Sequence, residues 1–163
     1  MPNISDAEAK ELAAAWLAYQ RRCDAVGTAR AEGFESWNRL TDLVWNDPES
    51  AWPVILLMIE VASTDSLLQD VAAGPLEELL SNHAHDFIDR IEDHARKDVK
   101  FRKCLCGVWG WFSIAAVIQT RLQQYGWRPV HKKSAQAPRK QRRGPKSRTH
   151  LKERQWPNNR RRR

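Results

Sequence analysis

Between positions 83 and 94 the chain carries His83, His85, Asp86, Asp89, Asp93 and His94, side chains able to hold a metal or move a proton. His85 and Asp89 stand four apart, which on a helix brings both to one face and within reach of one ion. The opening of a solvated, capped helix uses the same residue types, and that plainer reading is the one expected here. Cys104 and Cys106 are two apart, so on a helix their thiols diverge. Buried small side chains are expected there, not a chelating or redox pair. Glu77 and Glu78 follow Pro75 and suit the positive end of a helix dipole better than a catalytic carboxylate pair. The chain has no glycine-rich phosphate loop, nucleophile elbow or paired zinc-ligand spacing. The expectation is of no catalytic residues, no cofactor and no metal site. A deep polar pocket burying His83, His85 or Glu77 close together would reverse it.

The strongest chemical signal lies at the other end of the chain. From Met1 to Trp127 there are 12 Lys/Arg and 19 Asp/Glu; from Arg128 to Arg163 there are 15 Lys/Arg and only Glu153. The net charge of +7 is therefore an acidic body of −7 carrying a basic tail of +14. Lys132, Lys133, Arg139, Lys140, Arg142, Arg143, Lys146, Arg148, Arg160, Arg161, Arg162 and Arg163 are the candidate nucleic-acid contacts. Each cation set on a phosphate releases counterions, which yields sequence-independent, salt-sensitive affinity. Trp156 could stack on an unpaired base, but one aromatic is too few for a stacking platform. Competing readings are a solubilising terminus, a segment folded back on the acidic body, an anionic membrane surface, or a bipartite nuclear-localisation pattern around Ser134 to Pro138. The tail holds four prolines and few large apolar residues beyond Val130, Leu151 and Trp156. It cannot bury enough surface to offset its chain entropy, and disorder is expected. The division is thus 1–127, an acidic helical domain, and 128–163, a disordered Arg/Lys-rich tail.

The elements that position these groups follow from apolar spacing. A chain of 163 residues suits one core. Ser5-Asp6-Ala7-Glu8 has capping-box spacing, and Ala9, Leu12, Ala13, Trp16, Leu17 and Cys23 then form one helical stripe. Gly27 and Gly33 bracket a connection. Phe34, Trp37, Leu40, Val44 and Trp45 predict a second helix that stops near Asn46-Asp47-Pro48. The apolar run Val54 to Ile59 predicts a central buried helix, with Ser50 as N-cap and Pro53 in its first turn. Leu67, Leu68, Val71, Ala72, Leu76, Leu79 and Leu80 keep one phase across Gly74-Pro75. That favours one kinked helix over two short ones, capped by Thr64 or Asp65.

Asn82 to His85 is expected to be a turn. Phe87, Ile88, Ile91 and Ala95 face inward on the next helix. Asp98 then caps a last helix with one stripe through Phe101, Leu105, Val108, Phe112, Ala115 and Leu122, and a second through Cys104, Trp111, Ile118 and Tyr125. Gly107 and Gly110 either admit a close neighbour or split it. The charge-free run Cys104 to Thr120, 17 residues, is at the short edge for a bilayer and reads as a buried helix instead. Most of the tryptophans are expected in the core. Offsets of 33 and 34 residues, Asp65 to Asp98 and Leu67 to Phe101, suit a helical-hairpin repeat. The fold class expected is all-α, an irregular helical bundle with a HEAT-like helical-hairpin centre.

Four segments carry a family resemblance: W-P-x-I-L-x-x-I at Trp52 to Ile59, A-A-G-P-L-E-x-L-L at Ala72 to Leu80, I-x-x-I-E-x-x-A at Ile88 to Ala95, and F-x-x-x-L-x-x-V-W at Phe101 to Trp109. Together they resemble an uncharacterised bacterial family of small helical domains of unknown function, over roughly 47–111. The resemblance implies a helical domain and carries over no functional residues.

Cys23, Cys104 and Cys106 make an odd count without disulfide spacing, which suits reduced thiols in a cytoplasmic compartment. The charged, alanine-rich amino terminus does not read as a signal peptide. The function expected is non-enzymatic binding, a helical scaffold whose tail holds RNA or DNA by its phosphates. The alternative is a protein-interaction module, an adaptor or immunity-type partner, whose tail is incidental; membrane insertion is not expected.

Overall fold

Ser5 and Glu8 exchange hydrogen bonds across the first turn: the Ser5 N–H donates to Glu8 Oε2 at 3.0 Å and the Glu8 N–H to Ser5 Oγ at 3.3 Å. This reciprocal cap opens α1, Asp6–Val26. The computed structural model describes residues 3–26, 33–110 and 113–128. Ala9, Leu12, Ala13, Trp16 and Leu17 are buried along one stripe of α1, as their spacing predicts. Gly33, at a left-handed φ of 91°, leads into α2, Phe34–Asn46. Leu40 and Val44 are buried on α2, but Phe34 and Trp45, expected on the same inner face, are exposed. Trp45 lies one residue, roughly 100°, round from Val44, beyond the face that meets α1 and the following helix.

That helix, α3, is Pro48–Val61. Its N-cap is Asp47 and not Ser50: Asp47 accepts from the Ser50 N–H at 3.3 Å and from the Ser50 hydroxyl at 2.8 Å. A carboxylate is the better acceptor, and Pro48 suits the first helical position, where no amide partner is needed. Pro53 consequently falls in the second turn and leaves the Glu49 carbonyl without its usual amide. Ala51, Trp52, Val54, Ile55, Met58 and Ile59 are all buried. Packed against α1 and α2, α3 is the middle of the bundle.

Thr64 caps α4, Asp65–Val71, its hydroxyl accepting from the Leu67 N–H at 3.3 Å. The backbone then widens into a π segment, Ala72–Leu76, and returns to α-helix in α5, Glu77–Lys97. Pro75 has no amide to give, and the wider turn absorbs that gap while Gly74 takes φ −108°, ψ −107°. Leu67, Leu68, Val71, Ala72, Leu76, Leu79 and Leu80 are buried throughout, so the kinked single path keeps its apolar phase. The turn expected at Asn82 to His85 is absent: α5 runs through it, with the distortion confined to His83 at φ −132°, ψ 20°. Burial of Leu80, Ala84, Phe87 and Ile88 on one side makes continued helix the better-packed route.

Asp98 caps α6, Val99–Leu105, its carboxylate accepting from the Lys100 N–H at 2.7 Å. The long last helix that two apolar stripes suggested does not form. It ends at Leu105 and resumes as α7, Ala116–Gln123. In the break lies Gly107, where a Cβ would come within 2.8 Å of the Ala72 Cβ. The chain presses bare backbone onto the π segment at that point. Among the described residues there is no strand, and no helix is long and apolar enough to cross a membrane. The fold is an all-α, irregular helical bundle around one apolar core.

Candidate functional site

The acidic and histidine-rich residues of α5 are not gathered into a centre. His85, Asp86, Asp89 and Asp93 are exposed, and His83 is half-buried. His94 lies against Trp52 and Phe101, with ring centroids 5.4 and 5.5 Å away. Burial holds its pKa below the usual imidazole value, with Lys97 adding to the effect. Asp93 accepts from Arg96 Nη1 at 2.6 Å, and Asp89 pairs with Arg121 of α7. Among the described residues no three His, Cys, Asp or Glu side chains stand close enough to hold a metal ion.

Glu77 acts as a brace: its Oε2 accepts from the Trp109 N–H at 2.9 Å, tying α5 to the chain beyond α6. Cys104 and Cys106 diverge as their spacing predicts, but the burial expected of both holds only for Cys104. Cys104 is buried with its thiol 3.5 Å from the Leu68 carbonyl, and Cys106 is exposed. Burial pushes the Cys104 thiol up to about 12, so it stays protonated and inert. Of the tryptophans, Trp16 and Trp52 are core residues and Trp37 is half-buried, but Trp45 and Trp109 are 56% and 64% exposed. Trp111 lies outside the described residues.

Two features had no local signal in sequence. Glu92 is 5% exposed on the inner side of α5. It accepts from Arg121 Nε at 2.8 Å and Arg96 Nη2 at 3.1 Å, joining α5 to α7. The Arg121 hydrogen bond is the main reason its carboxyl sits below the usual carboxylate range; burial opposes it.

The second feature is a cavity of about 320 Å³. Its walls are Trp16 and Gln20 from α1, Trp37, Leu40 and Thr41 from α2, Asp70 from α4 and Glu78 from α5, with Ala73, Gly74 and Pro75 of the π segment between them. The kink at Pro75 creates it, because a straight helix would carry α5 on along the line of α4. Phe34 stacks on Trp37 with ring centroids 5.4 Å apart and planes 8° apart, and so covers one face of that indole. Burial, with Glu77 nearby, raises the Glu78 carboxyl above its usual range. A second hollow, of about 360 Å³, shares Asp70 and Ala73 with the first and is otherwise lined by Gln69, Cys106, Gly107 and Trp109.

The basic residues named from sequence, Lys132, Lys133, Arg139, Lys140, Arg142, Arg143, Lys146, Arg148, Arg160, Arg161, Arg162 and Arg163, lie outside the described residues, as does Trp156. What is described is the point where the body reaches them. Trp127 is fully buried and its indole N–H donates to the Val108 carbonyl at 3.0 Å, while Arg128 beside it is exposed.

The fold defines an all-α helical bundle whose α4–α5 path is kinked at the π segment. The chain belongs to DUF6869, a family of unknown function, which matches residues 27–130. No curated protein and no solved structure matches it.

Proposed function

We propose that this is a non-enzymatic binding protein whose helical body is a scaffold and whose Arg/Lys-rich tail, 128–163, holds RNA or DNA through backbone phosphates. The observation that carries the reading is the coincidence of two boundaries. Trp127 is buried and pinned to Val108, Arg128 is exposed, and the net charge changes from −7 to +14 at that step. An acidic body repels a polyanion, so a phosphate would be met by the tail and held clear of the bundle.

The test is fluorescence anisotropy of a labelled RNA single strand and of a DNA duplex with the full-length chain across a salt series. Affinity falls steeply and log-linearly with salt, and it is lost when the twelve basic residues named above are replaced by Gln. Equal binding by the Gln-substituted chain would overturn the reading.

A second reading, a protein-contact module with an incidental tail, draws on the exposed indoles of Trp45 and Trp109. Large exposed aromatics are the usual anchors of protein interfaces. It requires a partner that binds equally well to the Gln-substituted chain.

A further inference from the structure

We propose that the cavity between α1, α2 and the π segment is a binding site for an alkyl guanidinium or alkyl ammonium group, held between the Trp37 indole and the Glu78 carboxylate. The volume, about 320 Å³, is at the lower end for ligand pockets and suits a side-chain-sized group. Among the described residues its lining combines two indoles with two carboxylates, Asp70 and Glu78, and no Lys, Arg or His. Glu78 is half-buried, and no hydrogen bond or ion pair reaches its carboxylate from another described residue. Burying a carboxylate without a counter-charge is costly, and an incoming cation removes that cost.

The aromatic walls decide the class of cation. A bare metal ion wants three or more oxygen, nitrogen or sulfur donors, and no such group forms among the described residues. A guanidinium or ammonium is instead attracted to an indole ring and can donate to a carboxylate at the same time. Phe34 stacks on one face of Trp37. Gln20 and Thr41 supply further polar positions in the lining. The alkyl stem would lie along Leu40 and Pro75, which line the same space.

The source of the cation is either a separate ligand or the chain's own basic tail, and one experiment separates them. Full-length protein is titrated with butylguanidinium and with butylurea, the same shape without the charge, while indole N–H resonances are followed by NMR. Trp37→Phe assigns the relevant peak. The proposal expects a saturable shift of the Trp37 peak with butylguanidinium and none with butylurea. Glu78→Gln, which keeps the helix and the shape, weakens binding about tenfold, the loss of roughly one charge-assisted contact. The titration is repeated on the full-length chain whose tail cations are replaced by Gln. Equal affinity supports the site with a separate cation as occupant; tighter binding supports it with the tail as occupant. Equal shifts by butylurea, or unchanged affinity in Glu78→Gln, would overturn the proposal, as would the absence of any saturable shift in both chains.

Discussion

The indole N–H of Trp127 donates to the carbonyl of Val108 at 3.0 Å, and both residues are completely buried. This contact fastens the end of the folded body to the stretch of chain that follows α6, nineteen residues earlier. Gly126, at φ 91°, turns the chain so that the ring can enter. Replacing Trp127 by alanine should cost about 3–5 kcal/mol, the usual loss for a large buried aromatic. Trp127→Phe keeps most of the ring and loses the hydrogen bond, leaving a buried carbonyl unpaired at about 1–3 kcal/mol. Urea denaturation of both variants measures the difference, and a Trp127→Ala chain as stable as wild type would contradict the packing described.

Glu92 and Arg121 form one of the polar bonds between α5 and α7. Glu92→Gln keeps the shape and removes the charge, with an expected loss of about 1–3 kcal/mol. Its pH dependence follows from the direction of the shift. The carboxyl titrates lower in the folded protein than in the unfolded chain, so its stabilisation is complete above the ordinary carboxylate range of about 4.3. That stabilisation disappears as pH falls toward the lower folded value. Thermal melts from about pH 3 to neutrality should therefore show a shallower acid limb for Glu92→Gln than for wild type.

Gly107 and Ala72 meet where α6 ends against the π segment. A Cβ at 107 would approach that of Ala72 to 2.8 Å, well inside contact distance. Gly107→Ala should destabilise by about 1–3 kcal/mol through overpacking. Paired with Ala72→Gly, the closest clash is removed and part of that cost should be recovered, the Cys104 carbonyl at 3.2 Å remaining. A double-mutant cycle measures the coupling; additive effects would mean that the two residues do not press on each other.

Cys104 and Cys106 should differ sharply toward an alkylating reagent. The exposed Cys106 reacts in the native protein, while Cys104, buried and pushed up to about 12, reacts only when the chain unfolds. Peptide mass spectrometry after a short iodoacetamide pulse, with and without denaturant, separates them. Native labelling of Cys104 at the rate of Cys106 would show that α4 and α6 do not close over it.

Much of the helical architecture was legible from residue spacing. The Ser5–Glu8 cap, the caps at Thr64 and Asp98 and the unbroken apolar phase across Gly74-Pro75 are local or short-range patterns, and the structure places each where the spacing predicts. The misplaced boundaries have a common cause. Ser50 against Asp47, a turn against continued helix at His83, and one long helix against two around Gly107 are choices between local options of similar energy. Neighbouring elements tip each balance, and the Ala72 methyl group beside Gly107 is one such neighbour.

The chain's own residues determined that it forms helices, where its apolar stripes run, and that an acidic body is followed by a basic end. Those are properties of short segments and of composition, and they need no knowledge of what packs on what. Tertiary structure alone decided that Glu92 would meet Arg121, and that Trp16, Trp37, Asp70 and Glu78 would enclose one cavity. These four cavity residues come from four helices separated along the chain. Their meeting depends on how the kink at Pro75 turns one helix against the rest, which no spacing rule records.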